Sequence, residues 1–117
     1  MGAGAALPAA AEKNPIMLHC DLQVDPAREK EMVNNFHNTF EPVIRKQPGF
    51  VDVKLLKLRN AVAGKVPTPA NYKLLISFQT EEHRVAWVGT AEHQKVWPTI
   101  EKTLTAFKFN AILYDLV

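Results

Sequence analysis

The sequence has a single cysteine, Cys20, among 117 residues, and no apolar run that approaches the length of a membrane-spanning helix. One cysteine cannot form an internal disulfide, so no disulfide framework supports the fold. The formal net charge is only +2 and the two signs are interspersed, which argues against the basic stripe of a nucleic-acid-binding protein. We therefore expect a soluble, cytoplasmic protein whose partners include neither nucleic acid nor a membrane.

The N-terminal residues lack the basic start and the apolar centre of a signal peptide, and they are rich in alanine and interrupted by Pro8. Ala6 stands where a myristoylation signal requires Ser or Thr, so lipidation is not expected. We interpret residues 1–15 as a disordered arm and residues 16–117 as one domain. A chain of this length buries roughly two thirds of the surface that it exposes when unfolded.

Four segments have the apolar pattern of strands. In IMLHCDLQV, which begins at Ile16, every second residue is apolar, as in a strand with one buried and one more polar face. In the second segment the adjacent Leu55 and Leu56 indicate a bulge or a change of face. The last segment is nearly apolar on both faces and needs cover on each side. The predicted strands are residues 16–24, 50–60, 72–78 and 109–117.

A long helix is predicted between the first two strands. Asp25 followed by Pro26 is typical of a helix start, because the carboxylate accepts a bond from a free N–H group and proline needs no such bond. Apolar residues then recur at steps of three and four, and Pro42 is expected to bend or interrupt the helix. The predicted apolar stripe is Met32, Val33, Phe36, Phe40, Val43 and Ile44.

The second helical segment, residues 80–107, contains both tryptophans of the chain. Thr80 is expected to cap a first helix, and Gly89 to end it before Thr90 caps a second. Beyond Thr90 the apolar residues again recur at steps of three and four, which places His93 on the inward face. That stripe is predicted to contain His93, Val96 or Trp97, Ile100, Leu104 and Phe107.

The order of elements is strand, helix, strand, strand, helix, strand, which predicts an α+β ferredoxin-like βαββαβ fold with an antiparallel four-stranded sheet. The tetrapeptide 47–50 is expected to turn the chain into the second strand, and the irregular loop 61–70 could serve as a lid. Two helices cover only one face of the sheet, although strands three and four are apolar on both. A second copy is the economical cover, so we expect a homodimer.

Three local features accompany this order: Pro48-Gly49-Phe50 before strand two, the junction from Phe78 to Glu82, and Trp87 followed six residues later by His93. With them, residues 16–117 resemble the antibiotic biosynthesis monooxygenase family of the dimeric α+β barrel superfamily. The resemblance implies a pocket between sheet and helices, or in the barrel between two sheets. It also implies oxidation of aromatic polyketides by molecular oxygen without metal, flavin or haem.

His93 is the predicted catalytic acid or base, since its charge state switches near neutral pH and its spacing turns it inward; a local bond in the first helical turn is the alternative. Trp87 and Trp97 either stack on a planar substrate or fill the core. His19 and Asp21 share one strand face, which opens to a barrel lumen or to solvent. The other candidate substrate-binding residues are Tyr72 and Phe36.

A cofactor is not expected. His93 with His19 and Asp21 would make a two-histidine, one-carboxylate metal set, but their spacing is not local and nothing requires them to converge. A haem-degrading branch of the superfamily has a strand-one asparagine and a histidine ten residues after the tryptophan. In this chain the residue ten positions after Trp87 is Trp97 and not a histidine, so haem degradation is disfavoured.

Three functions remain open at this point. The first is a cofactor-independent monooxygenase acting on an aromatic or quinol-like small molecule. The second is a non-catalytic barrel that binds a small apolar metabolite or serves in a stress response, and the third is an isomerase or lyase acting on a cyclic enol. The choice depends on whether the space beside His93 is open or is filled by Phe36, Phe40, Trp87 and Trp97.

Overall fold

The computed structural model describes residues 15–66 and 69–117, so residues 1–14 of the predicted arm lie outside the described residues. A short 3-10 turn, Pro26–Arg28, precedes the first helix, and a π-helical turn, Phe36–Phe40, joins that helix to the next. The remaining elements, in chain order, are β1 Ile16–Val24, α1 Glu29–Asn35, α2 Glu41–Ile44, β2 Phe50–Lys57, β3 Tyr72–Phe78, α3 Glu81–Val88, α4 Ala91–Glu101 and β4 Leu104–Asp115.

The strands form one antiparallel sheet in the order β2-β3-β1-β4. The first strand therefore lies in the centre, where Cys20 is opposite Leu74 of β3 and Ala111 of β4. The helices pack on one face of this sheet. The α+β ferredoxin-like fold predicted from the order of the elements is confirmed.

The alternation in β1 separates the two faces of the sheet. Cys20, Leu22 and Val24 are buried against the helices, whereas the alternate residues His19 and Asp21 are half-buried on the other face, which we call the open face. Each large apolar side chain buried in this way contributes about 1.5–3 kcal/mol. The other strands add buried residues to this core, and the helical layer contributes Met32, Phe36, Phe40, Ile44, Trp87, Val96 and Ile100.

The long helix is interrupted just before Pro42, as predicted. The backbone N–H of Glu41 donates to the carbonyl of Phe36, five residues earlier, which defines the π turn. Proline has no N–H and its ring collides with the carbonyl four residues earlier, so the wider turn relieves a conflict that an unbroken α-helix would carry. Phe36 and Phe40, at the two ends of the turn, are both buried.

All three predicted helix caps form. The Asp25 carboxylate accepts from the N–H of Ala27 at 2.9 Å. Thr80 Oγ1 accepts from the N–H of His83 at 3.1 Å, and Thr90 Oγ1 accepts from the N–H of His93 at 3.0 Å. Each bond satisfies one of the N–H groups that a helix start leaves free, which is why these local patterns fix the helix starts.

The prediction that the last helix continues to Phe107 is wrong. Helix α4 ends at Glu101, and Leu104 already pairs with Val24 as the start of β4. Thr103 is fully buried between them, and its carbonyl accepts from the N–H of Asp25 at 2.9 Å. The apolar spacing of a helix continues through this segment, but pairing with β1 determines its structure.

Of the two predictions for Leu55-Leu56, a bulge or a change of face, the bulge is wrong. These residues pair without a break with Leu74 and Lys73, so they simply point to opposite faces. The register shift of β2 lies instead at its start, between Phe50 and Asp52. The second strand also ends at Lys57, three residues earlier than predicted.

The turn before β2 forms as predicted. The N–H of Phe50 donates to the carbonyl of Gln47 at 3.1 Å, and Gly49 has a φ of 77°. No helix among residues 15–66 and 69–117 combines the length and the apolar character needed to cross a membrane.

Candidate functional site

A cavity of about 180 Å³ lies between the helices and the sheet, and we call it the helix-side cavity. The prediction left open whether this space is filled; the structure shows that the surrounding aromatic side chains do not fill it. Its walls come from both layers of the fold. The sheet contributes Leu18, Cys20, Ile76, Phe109 and Ala111, and the helical layer contributes Phe40, Arg84, Trp87, Val88, His93 and Trp97.

The imidazole of His93 lies between the two indoles. Its ring centroid is 5.0 Å from that of Trp87, with the rings nearly perpendicular at 83°. It is 6.5 Å from that of Trp97, with the rings close to parallel at 21°. Gly89 and Thr90 create this arrangement, because they end α3 just after Trp87 and begin α4 just before His93.

The Nδ1 atom of His93 is buried and has no hydrogen-bond partner among the described residues. Buried polar atoms are nearly always paired, so this unpaired atom sets His93 apart from an ordinary core histidine. Burial lowers the pKa of His93, because a charged imidazolium is poorly solvated there. The ring is therefore neutral at physiological pH and has one nitrogen that accepts and one that donates.

Aromatic side chains form much of the cavity wall. Phe40 meets Trp87 edge-on at 6.0 Å and Trp97 at 6.4 Å between ring centroids. Phe109 of β4 meets Trp97 edge-on at 5.2 Å. Phe40 and Trp87 are almost fully buried, whereas the half-buried Trp97 and the 38% exposed Phe109 present apolar surface that suits a planar apolar ligand. Trp87, only 3% exposed, is thus both a core residue and a cavity wall.

Two titratable groups besides His93 border the cavity. Arg84 donates from Nε and Nη2 to the two carboxylate oxygens of Glu81 at 2.7 and 2.6 Å, which raises the pKa of Arg84 and lowers that of Glu81. The Arg84 guanidinium and the Glu81 carboxylate are therefore both charged. Burial raises the pKa of the Cys20 thiol to about 12, so this sulfur is neutral and a poor nucleophile.

Tyr72 and Phe36, two predicted binding residues, do not border this cavity. The Tyr72 hydroxyl donates to the Glu29 carboxylate, and burial is the main cause that raises the pKa of Tyr72 to about 12. Phe36 is 2% exposed and stacks on Phe40 at 6.1 Å between ring centroids. Their roles in substrate binding stay predictions, and for Phe36 any such role would act through Phe40.

His19 and Asp21 lie on the open face, with the sheet between them and His93. The His19 ring is 4.5 Å from that of Tyr114, and Asp21 pairs with Lys73 at 3.6 Å. Burial, with Lys73 as a second cause, lowers the pKa of His19. No group of three or more His, Cys, Asp and Glu side chains in the described chain lies close enough together to hold a metal ion. The hypothetical set of His19, Asp21 and His93 does not converge.

Several cavity residues are not among the predicted catalytic and substrate-binding residues. Arg84 lies three residues before Trp87, a spacing that puts both on one helix face and could have identified it. Phe40 was predicted as a member of an apolar stripe, but its contact with both tryptophans depends on the π turn. Phe109 lies at the cavity because β4 pairs with β1 in a register that places Phe109 opposite Leu22, and the sequence pattern does not determine this register.

Comparison with known proteins gives a result only at the level of three-dimensional structure. No protein-family model matches the sequence, and no curated protein matches it either. Among solved structures, a protein from Caulobacter crescentus CB15 named as a candidate antibiotic biosynthesis monooxygenase aligns with a TM-score of 0.72 at 18% identity, over 90% of this chain and 92% of its own.

Two further structures extend the comparison. SnoaB from Streptomyces nogalater, a cofactor-independent oxygenase solved as its N63A mutant, has a TM-score of 0.65 at 15% identity, over 87% of this chain and 91% of its own. A dimeric ferredoxin-like protein of unknown function from Jannaschia sp. CCS1 has a TM-score of 0.72 at 12% identity, over 88% of this chain and 98% of its own. At these identities the likeness shows the fold alone: the chain has the ferredoxin-like α+β fold that these proteins share.

Proposed function

We propose that the chain is a cofactor-independent monooxygenase that oxidises an aromatic or quinol-like small molecule in the helix-side cavity. The observation that carries this proposal is the buried, unpartnered Nδ1 of His93 between two indole rings. A neutral imidazole can take a proton from a phenol or an activated carbon, while the indoles hold the ring being oxidised. The shared fold with SnoaB, named as a cofactor-independent oxygenase, supports the same chemistry.

The substrate supplies every electron that the reaction needs. With 1-naphthol as an example, His93 takes the hydroxyl proton, and the electron-rich naphtholate reduces molecular oxygen. The carbon opposite the hydroxyl gains one oxygen atom and loses its hydrogen, which gives 1,4-naphthoquinone. The second oxygen atom leaves as water with the two hydrogens lost by the naphthol. The protein's contribution is to bind, orient and deprotonate.

The size of the cavity limits the substrate. Its volume of about 180 Å³ is close to that of a protein cavity of roughly 150 Å³ that holds benzene, and below the 300 Å³ at which pockets for larger ligands begin. We therefore expect one- and two-ring substrates to fit without rearrangement. A three-ring anthrone is expected to turn over more slowly than 1-naphthol.

Oxygen uptake by the wild-type protein should follow the protonation of His93. The base must be neutral, and burial lowers its pKa, so kcat/KM should be high at pH 7 and fall as the pH drops through the pKa of the folded protein. That midpoint should lie below the ordinary histidine value of roughly 6.5. The measurement is oxygen consumption with 1-naphthol from pH 5 to pH 8, together with the yield of naphthoquinone.

The same assay separates the other two functions. Chemical change of a cyclic enol without oxygen uptake would identify an isomerase or lyase instead. Binding without any turnover would identify a non-catalytic binding protein. A rate that rises as the pH falls below 6 would contradict the role of His93 as a base.

We also propose that the chain forms a homodimer through the open face of its sheet. No helix within residues 15–66 and 69–117 covers this face, and it exposes apolar side chains: Ile112 is 48% and Tyr114 is 51% exposed. Leu56 of β2 is 43% exposed on the same face. The Jannaschia protein, which shares the fold over 88% of this chain, is named as dimeric, and this favours a second copy as the cover.

Light scattering at micromolar concentration should therefore give about twice the chain mass of 13.1 kDa. The double variant Ile112→Glu, Tyr114→Glu should give the mass of one chain, because it places two negative charges in the apolar contact. Val85→Glu is the matched control, since Val85 is 53% exposed on the helical side, and it should leave the dimer intact. A wild-type mass of 13.1 kDa would refute the proposed dimer.

A further inference from the structure

Arg84 is the only permanently charged side chain among the described residues that line the helix-side cavity. It lies on α3, one helical turn before Trp87, and its side chain is 21% exposed. A cation facing an apolar cavity is costly unless something offsets its charge. Glu81 offsets part of that cost from the outer side, where its own side chain is 42% exposed.

The pairing with Glu81 leaves part of the guanidinium free. An arginine side chain has five N–H donors, and Glu81 takes one from Nε and one from Nη2. The remaining donors have no hydrogen-bond partner within residues 15–66 and 69–117. Glu81 therefore holds the planar fork in a fixed orientation and leaves donors available to a ligand.

The other cavity walls increase the effect of this charge. Leu18, Ile76 and Trp87 are apolar, and the Cys20 thiol beside them is neutral. With little water to screen it, a guanidinium attracts an anion more strongly than it would on an open surface. No carboxylate lines the cavity among the described residues, so a ligand would supply the only negative charge there.

We propose that Arg84 binds an anionic oxygen of the ligand, so that the helix-side cavity selects one- and two-ring aromatic anions over neutral aromatics of the same size. The inference rests on the proposed function, since it concerns the same cavity. For the oxygenase, the anion is the phenolate that His93 creates, and Arg84 stabilises it until oxygen reacts. An aromatic carboxylate presents the same oxygen chemistry without any proton transfer and is therefore the cleaner probe.

The two tryptophans of the chain, Trp87 and Trp97, both line the cavity, so intrinsic fluorescence reports ligand binding directly. Binding is measured without oxygen for 2-naphthoate and for 2-naphthalenemethanol, a neutral aromatic of similar size. We expect the wild-type protein to bind the carboxylate roughly tenfold to a hundredfold more tightly, the range for a charge-assisted hydrogen bond.

Variants at Arg84 and Glu81 test whether the guanidinium causes the preference for the carboxylate. Glu81→Gln alone should keep the preference for the carboxylate, because Arg84 retains its charge. The double variant Arg84→Met, Glu81→Gln removes one charge of each sign and should abolish the preference, while its affinity for the alcohol stays within about twofold of wild type. If the double variant does not fold, Arg84→Lys replaces it: the preference should fall several-fold, since an ammonium lacks the fork.

Equal affinity of the wild-type protein for the two ligands would overturn the inference, and so would a preference that survives in the double variant. An unchanged preference in Arg84→Lys would overturn the proposed use of the fork. These outcomes are independent of the oxygenase proposal. Selective binding of naphthoate with no oxygen uptake from 1-naphthol would leave Arg84 as an anion-binding residue and reject the oxygenase.

Discussion

Replacing His93 with glutamine is expected to lower kcat/KM for 1-naphthol at pH 7 by about 100-fold or more, because general-base catalysis contributes roughly 10²–10⁴ to a rate. The glutamine amide fills similar space between the indoles of Trp87 and Trp97, but it cannot accept a proton at neutral pH. The carboxylate preference at Arg84 should remain. The loss should therefore appear in oxygen uptake and not in anaerobic binding of 2-naphthoate.

His37→Gln is the matched control for this experiment. His37 is an exposed histidine whose Nδ1 lies 3.1 Å from the Glu41 carboxylate, and it does not line the cavity. Its replacement should leave oxygen uptake within about twofold of wild type. His93→Ala provides a second check, since added imidazole can enter the enlarged cavity and should restore part of the rate. Comparable rates in His93→Gln and the wild type would rule out His93 as the base.

Gly49→Ala is expected to reduce the free energy of unfolding by about 3 kcal/mol, from roughly 1–2 kcal/mol of backbone strain and a further 1–3 of overpacking. Gly49 has a φ of 77°, and a Cβ there would lie 2.7 Å from the Cβ of His83 and closer still to its ring. His83 cannot turn away freely, because its Nδ1 is hydrogen-bonded to Thr80 Oγ1 at 2.7 Å. The measurement is urea denaturation.

Gly64→Ala is the control that separates the cost of backbone strain from the cost of the steric clash with His83. Gly64 has nearly the same φ, 72°, but nothing lies within 4 Å of a Cβ built on it. Its replacement should cost only the strain, about 1 kcal/mol. Adding His83→Ala to Gly49→Ala should recover the overpacking part of the loss. Equal destabilisation by the two glycine replacements would show that the contact with His83 does not matter.

The features predicted well from the sequence are those fixed by nearby residues. Alternation in β1 gave its bounds, and Asp25, Thr80 and Thr90 gave the helix starts, because each cap bonds an N–H group two or three residues away. The inward orientation of His93 followed from its spacing after Thr90. Periodicity and capping act over one or two turns, so they can be read without a tertiary structure.

The features missed depend on residues far apart in the chain. The end of α4 at Glu101 depends on the pairing of Leu104 with Val24, and the helical spacing beyond it is coincidental. Arg84 follows Glu81 and Glu82, a local charge pattern typical of an exposed helix face. Its place beside Leu18 and Cys20 exists only after the helix has packed on the sheet.

The π turn at Phe36–Phe40 has a consequence for insertions and deletions. A π turn is an α-helix with one additional residue, and in an α-helix each residue advances by about 100° around the axis. Deleting one residue within the turn would restore regular α-helical geometry but rotate one end of the helix relative to the other. Phe40 could then no longer meet both tryptophans while Met32 stayed in the core. The length of this helix, counted in single residues, therefore determines the shape of the cavity as much as the side chains that line it.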